Sequence, residues 1–338
     1  MLEARGVYTS KTFSLVETGE RLVRHDEPSP TRACVLVRLS HSHVRFGSFQ
    51  RHAFERRPDR VRRLMEHAVE LHFPELRGER DARLPTEFLR RVCHRSARLC
   101  AEWMAAGFVH GVLNTDNMVV TGESFDYGPW RFLPEHDERF TAAYFDEVGL
   151  YAYGQQPRAV LWNLTRLAEC FREVIDPSHA EPVMREFDPA YRRELSRAWL
   201  ARLGLREEDP DADLALLEAG EAFLRERRAS FDGFFHDLYG AEVERALEGP
   251  RAASYRGASF DAVRALLERR SPAHPERLAH PLMQRADPVT MVIDRMEALW
   301  APIAERDDWG PLYEAIEEIR ALGALMHPET VASRAAAE

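Results

Sequence analysis

The decisive stretch of the sequence is HGVLNTDNM at residues 110–118, which is followed at 126–133 by DYGPWRFL. Among its polar residues are Asn117 and Asp126, whose side chains carry amide and carboxylate oxygens. Hard cations such as Mg²⁺ prefer these oxygens and share them with the phosphates of a nucleotide. Between the two residues, short runs flank Thr121-Gly122, a pair suited to a tight turn. The stretch predicts two metal-binding loops joined by a small hairpin that carries Asp126 at its end.

The spacing within this stretch is typical of protein kinases. Asn117 follows His110 by seven residues, as in the HxDxxxxN catalytic loop, and Asp126-Tyr127-Gly128 stands in the position of the DFG motif. Val112 occupies the place of the catalytic aspartate and cannot accept a proton, which argues against ordinary transfer of a γ-phosphate. Asp116 is the remaining carboxylate near the reacting site and is the candidate general base, because a base must reach the proton that it removes.

The same stretch lies within a longer resemblance to a known family. It is similar to the SelO family of protein adenylyltransferases, which have a kinase fold and move AMP from ATP onto protein hydroxyls. The further matching segments are VLVRLSHSHVRFGSFQ at 35–50, Gln156-Pro157, LWNLTRLA at 161–168 and, more weakly, SFDGFFHDL at 230–238. Firm similarity covers roughly the first half of the chain.

The resemblance implies a role for each of five residues. Asp116 would be the catalytic proton acceptor, while Asn117 and Asp126 would hold Mg²⁺ or Mn²⁺, with Asp126 also contacting the nucleotide. Arg38 and Arg45, which match two arginines of the family, would bind the nucleotide phosphates, a task suited to the forked guanidinium. In this family ATP binds in an inverted orientation that presents its α-phosphate. The implied partners are ATP and proteins with Ser, Thr or Tyr hydroxyls, and UMP transfer from UTP stays open.

The front of the family's nucleotide site has no counterpart in the sequence. The family uses a Gly-rich segment and a lysine paired with an acidic residue, whereas Lys11, the only lysine present, stands on a predicted strand. The chain is therefore expected to be an N-terminally truncated member, with a reduced sheet that exposes apolar surface.

Other functions compete with adenylyl transfer. One is a non-catalytic pseudokinase that binds a protein partner through its helical half, and another is conventional kinase activity, which Val112 disfavours. Taken singly, Asp116-Asn117 and Asp126 would more often be turn formers than ligands, because Asp and Asn bond to their own backbone. His41 and His43 form a possible metal pair, but without a third ligand a polar loop end is the favoured interpretation.

The pattern of apolar residues predicts an α+β protein with a kinase-like fold. Strands are expected at 11–17 and 33–39, separated by DEPSPT at 26–31, and helical spacing begins at Pro58. Further helices are expected at 86–106, 158–175, 189–203, 213–228, 241–247, 259–269, 288–306 and 310–325. Three units follow: a partial N-lobe with its sheet (1–55), a mostly helical C-lobe with the catalytic and metal-binding loops (56–180) and a helical C-terminal extension (181–338).

Composition narrows the class of protein. The net charge of −10 argues against a nucleic-acid partner, which would require a broad basic face. The sequence shows neither a signal peptide nor an apolar run of membrane-spanning length, so a cytoplasmic protein without a membrane partner is expected. The four cysteines show no metal-binding spacing and are expected to be reduced, mostly buried thiols.

Overall fold

The computed structural model describes residues 1–23, 29–78 and 83–327. Within these ranges the protein is α+β and mostly helical, with two small antiparallel sheets. The strands are β1 (Lys11–Leu22), β2 (Thr31–Leu39), β3 (Phe108–Val109) and β4 (Arg131–Phe132). The helices are α1 (Phe46–Phe54), α2 (Pro58–His72), α3 (Leu84–Ala105), α4 (Gln156–Cys170), α5 (Pro177–Arg185), α6 (Phe187–Leu203), α7 (Pro210–Arg227), α8 (Phe231–Asp237), α9 (Val243–Glu248), α10 (Ala258–Leu267), α11 (Ile293–Arg306) and α12 (Gly310–Met326).

The N-terminal sheet is a single hairpin of β1 and β2. Lys11 pairs with Leu39 at one end and Leu22 with Thr31 at the other, so both predicted strands are confirmed and extend further than expected. Their β-branched and aromatic residues favour a pleated strand, yet many of these side chains face solvent, and Phe13 is 71% exposed. The expected exposure of apolar surface is therefore present. Residues 26–28 of the predicted loop lie outside the described residues.

Helix α3 forms the centre of the helical part. Helices α4, α5 and α6 pack against it, and a run of apolar residues along it is buried. The helix ends where Gly107 adopts a left-handed conformation with φ +65°, which glycine reaches without steric cost. A Cβ at this position would also come within 2.6 Å of the Phe231 ring. The predicted end of this helix near Gly107 is confirmed.

Aromatic side chains join the first helices into one core. Phe49 of α1 and Phe88 of α3 both contact Phe171 at the end of α4, with ring centroids 5.4 and 5.9 Å apart. Phe73 contacts the edge of Phe88 at 5.1 Å. All four rings are completely buried, and burial of such side chains is the main favourable contribution to folding. This core holds α1 and α3 against the C-terminal end of α4.

The last two helices return to the N-terminal hairpin. Arg32 on β2 donates hydrogen bonds to the carbonyl oxygen of Ile303 at 2.9 Å and to the Asp307 carboxylate at 2.8 Å. Helix α12 packs on the N-terminal turn around Ala4. The division into units 1–55, 56–180 and 181–338 stays a prediction, and residues 328–338 lie outside the described part. Among the described helices, none combines the length and apolar character needed to span a bilayer.

Candidate active site

Two buried amides of α4 hold the loop that carries the candidate base. At the start of the helix, Gln156 accepts a hydrogen bond from the His110 backbone N–H at 2.9 Å and donates one to the Phe108 carbonyl at 2.9 Å. Two turns later, Asn163 donates to the Leu113 carbonyl at 2.9 Å. Buried polar groups need such partners, so these bonds fix residues 110–113. The sequence signal was two amides seven residues apart on an otherwise apolar face, and sequence reasoning missed their role.

His110 braces the turn of Asp126 as a neutral side chain. It is completely buried, and burial lowers the pKa of its imidazole to about 4. The Val112 backbone N–H donates to Nδ1 at 3.3 Å, which places the imidazole proton on Nε2. Nε2 lies 3.8 Å from Oδ1 of Asp126. The contact indicates a structural role for His110.

The two carboxylate oxygens of Asp126 have different surroundings. Oδ1 accepts a hydrogen bond from the Gly128 N–H at 2.8 Å, which closes a tight turn. Gly128 has φ +56°, and a Cβ there would come within 2.5 Å of the His110 carbonyl oxygen, so the turn requires glycine. Within the described ranges, Oδ2 accepts no hydrogen bond and is available to a ligand.

Asp116 and Asn117 follow the braced residues 110–113 on the same loop. The Asp116 N–H donates to Oδ1 of Asn114 at 2.9 Å, while its own carboxylate is exposed and, in the part of the chain that is described, unpaired. The side-chain amide of Asn117 donates to the Val112 carbonyl at 2.8 Å and keeps its oxygen free of bonds from described residues. A carboxylate without a partner can accept a proton, and an amide oxygen can contact a cation.

Of the two predicted phosphate-binding arginines, Arg38 contacts the residues around Asp126 through its side chain. Its guanidinium donates to the Phe125 carbonyl at 2.6 Å and lies over the Tyr127 ring, 4.4 Å from the centroid. These contacts place it at the residues on either side of Asp126. Arg45 instead bridges Val119 through its backbone, and its side chain is exposed.

The predicted hairpin between the two loops is wrong. The turn is present, because the Gly122 N–H donates to the Val119 carbonyl at 3.1 Å. In the described structure the arms do not pair with each other: Val119 forms a bridge with Arg45, and Ser124 with Thr9. Two earlier segments of the chain form the hydrogen bonds of these arms. Residues 119–124 are therefore joined to the N-terminal region.

Glu123 completes this connection and was not identified from the sequence. Its carboxylate is fully buried and accepts hydrogen bonds from the Ser40 hydroxyl at 2.7 Å and the His41 N–H at 2.9 Å. His41 Nδ1 lies 3.0 Å away on the same carboxylate. His43 packs edge-on against Phe125. These contacts agree with the favoured interpretation of the two histidines as a polar loop end.

The donor set fits a divalent cation that is shared with a nucleotide. No group of three or more His, Cys, Asp or Glu side chains in metal-binding arrangement occurs among the described residues. Asn117 and Asp126 each offer one free oxygen, and Mg²⁺ is usually held by one or two protein oxygens together with phosphates and water. Lys11 forms an ion pair with Glu3 at 2.5 Å.

Comparison with known proteins identifies the class of the chain as nucleotidyltransferase. The model of the family described as "Protein adenylyltransferase SelO" matches residues 1–320, and the chain belongs to this family. Three similar proteins are each named protein nucleotidyltransferase YdiU. Those of Trichodesmium erythraeum and Gloeobacter violaceus are both 38% identical, over 94% and 93% of this chain and 70% and 66% of the relative. That of Synechocystis sp. is 36% identical over 94% of this chain and 70% of the relative. The chain thus spans about two thirds of the length of these relatives.

Proposed function

We propose that this chain is a metal-dependent protein adenylyltransferase with a kinase-like catalytic centre, which transfers AMP from ATP to Ser, Thr or Tyr hydroxyls of proteins. The observation that carries the proposal is the exposed carboxylate of Asp116, which has no partner among the described residues and stands beside Asn117 on a loop braced against the Asp126 turn. Membership in the SelO family supports the same chemistry.

Each side chain then has a task in the transfer. The acceptor hydroxyl loses its proton to Asp116 while its oxygen bonds to the α-phosphorus, and the bond from that phosphorus to the oxygen leading to the β-phosphate breaks, which releases pyrophosphate. A bound Mg²⁺ or Mn²⁺ would neutralise phosphate charge from the side of Asn117 and Asp126. Arg38 uses part of its guanidinium on the Phe125 carbonyl and has further N–H donors for phosphate oxygens.

An exposed apolar loop supports a protein as the acceptor. The side chains of Phe145, Val148 and Leu150 face solvent, and Val148 is 90% exposed. Asp146 holds this loop compact because its carboxylate accepts hydrogen bonds from two backbone amides at 2.8 Å. The preceding Ala142 lies against the catalytic loop, within 3.1 Å of a Cβ built on Gly111. Apolar side chains displayed on an ordered loop are typical of a contact surface for another protein.

The decisive experiment determines which phosphate of ATP is transferred to the acceptor protein. The purified chain is incubated with α- or γ-labelled ATP, Mg²⁺ or Mn²⁺ and an acceptor protein, in parallel with Asp126→Asn and Asp116→Asn. Protein-bound α-label is expected for the wild type and should be lost in both variants, which keep the size of the side chain. Asp294→Asn, on the exposed face of α11, is the control and should label normally.

The other outcomes discriminate between the competing functions. Protein-bound γ-label would overturn adenylyl transfer in favour of kinase chemistry. Stronger labelling from α-labelled UTP would change the transferred group to UMP while leaving the roles of Asp116 and Asp126 intact. Absence of label in every arm would contradict the proposal and favour a non-catalytic protein that binds a partner.

A further inference from the structure

A cavity of about 410 Å³ lies away from the candidate catalytic residues, between the N-terminal turn, α6, α8, α12 and the chain at 273–289. None of the five residues assigned to nucleotide or metal lines it. Ligand pockets in proteins typically enclose a few hundred cubic ångströms and combine apolar walls with a few polar groups. The cavity has the size and composition of such a pocket.

Arg277 brings a positive charge to this cavity. Its guanidinium reaches only the Tyr239 hydroxyl, at 3.5 Å, and no carboxylate of the described residues lies within ion-pair distance. The neighbouring Glu276 bonds to His274 at 3.2 Å instead. His327 also lines the cavity. Its burial and, to a smaller extent, the charge of Arg277 lower the pKa of its imidazole, so it adds a neutral polar group. A half-buried guanidinium that forms no ion pair with the described residues favours the binding of an anion.

The other cations of the cavity wall already have partners. Arg5 and Arg202 both bind the buried Asp232 carboxylate, at 2.6 and 3.1 Å. They also donate to the carbonyls of Ala106 and Ala105 at the end of α3, where the helix dipole favours positive charge. Among the described residues, Asp232 offsets one of these two guanidinium charges, so with Arg277 the wall keeps a net positive charge, and Arg277 is the arginine of the wall that forms no ion pair.

The rest of the wall is apolar. Leu205, Phe235 and Met283 line the cavity as buried side chains, and Leu322 and Met326 of α12 face it from the opposite side. We infer that this cavity binds an amphipathic anion, namely a carboxylate whose head meets Arg277 and whose apolar chain or ring fills the space between α8 and α12. The inference is independent of nucleotidyl transfer.

Isothermal titration calorimetry with sodium decanoate below its micelle concentration tests this site in the absence of nucleotide. The wild type is expected to bind one decanoate per chain. Decyltrimethylammonium, which has the same chain and the opposite charge, should bind at least about tenfold more weakly. Butyrate should also bind weakly, because it leaves the apolar wall uncovered.

Two variants test the contribution of the Arg277 charge and that of the apolar wall separately. Arg277→Gln should weaken decanoate binding about tenfold or more, whereas Arg269→Gln, an exposed arginine outside the cavity, should leave it unchanged. Leu322→Trp should block the apolar space and abolish binding. Equal binding of the anionic and cationic probes, unchanged binding by Arg277→Gln, or absence of decanoate binding by the wild type would each overturn the inference. Circular dichroism confirms that each variant is folded.

Discussion

The Asp116 carboxylate lies directly against the α-carbon of Gly47, so that a Cβ built on Gly47 would come within 2.1 Å of Oδ1. Gly47 is the second residue of α1, and its N–H donates to the Thr115 carbonyl at 3.0 Å. The start of α1 therefore sets the position of the candidate base. Because a methyl group cannot fit without displacing the carboxylate, Gly47 is a positioning residue.

Gly47→Ala should reduce transfer without unfolding the protein. Alanine is favoured over glycine within a helix by roughly 0.5–1 kcal/mol, which offsets part of the local strain. Displacement of a reacting group by about 1 Å can cost about 100-fold in rate, so we expect kcat to fall by about that factor with little change in melting temperature. Single-turnover labelling together with thermal unfolding measures both quantities.

Gly323→Ala is the matched control for this substitution. Gly323 lies in α12, where a new Cβ would meet Ala4 at an ordinary contact distance of 3.6 Å. It should retain full activity and gain slightly in stability. If Gly47→Ala were as active as this control, the carboxylate of Asp116 would not require its observed position.

The buried imidazole of His110 should make the stability of the fold depend on pH. Burial lowers its pKa from 6.5 to about 4, so between these values the unfolded chain binds more protons than the folded one. The free energy of unfolding therefore falls as pH drops from about 6.5 to about 4, by on the order of 3 kcal/mol from this group, and its contribution levels off below. Urea unfolding without metal or nucleotide measures the slope.

His110→Asn isolates this contribution from those of other histidines. The asparagine oxygen can replace Nδ1 as acceptor for the Val112 N–H but does not titrate in this range. The variant should be less stable at pH 7 and should show a smaller loss between pH 6.5 and 4. His274→Asn, at an exposed histidine, should keep the wild-type slope. Parallel slopes for all three proteins would contradict a neutral, buried His110.

The local sequence pattern was sufficient to predict the long helices and the two loops of the candidate site. Helix α3 carries a sustained apolar stripe and a terminal glycine, and it was predicted within two residues at its start and one at its end. Helices α1, α5 and α8 were missed, and each has nine residues or fewer, so a periodic pattern is weak there, although the six-residue α9 was predicted at 241–247. In addition, α1 has no capping side chain and α5 contains Pro182.

The partners of the site could not be read from the sequence because they join distant segments. Glu123 bonds to Ser40 and His41 across more than eighty residues, and a single glutamate between Gly122 and Ser124 resembles any exposed charge of a turn. The hairpin prediction failed for the same reason, since the pairing of Val119 with Arg45 competes with local pairing. Spacing placed Asp116, Asn117 and Asp126 on loops, whereas the tertiary contacts determine which of their oxygens are free.

The four thiols should differ sharply in reactivity. Cys93, Cys100 and Cys170 are buried, and burial raises the pKa of each thiol, to about 12 for Cys93 and about 11 for Cys170. Only a thiolate reacts readily. Cys34 on β2 is exposed. One equivalent should therefore react with Ellman's reagent in the native protein and four after unfolding, and Cys34→Ser should remove the native equivalent. A second fast thiol in the native state would contradict this arrangement.

The buried Asp232 should be the most costly single charge to remove. Burial alone would raise the pKa of its carboxyl, but Arg5 and Arg202 hold it below its ordinary value, and Thr290 donates a further hydrogen bond at 2.6 Å. Asp232→Asn leaves two buried guanidinium groups without a counter-charge, so the free energy of unfolding should fall by about 3–5 kcal/mol. Thr290→Val removes one hydrogen bond from the same carboxylate and should cost only about 1 kcal/mol. Urea unfolding of both variants at pH 7 measures the difference. Equal losses would mean that hydrogen bonding, and not the charge shared by the two arginines, stabilises the junction between the N-terminal turn and α8.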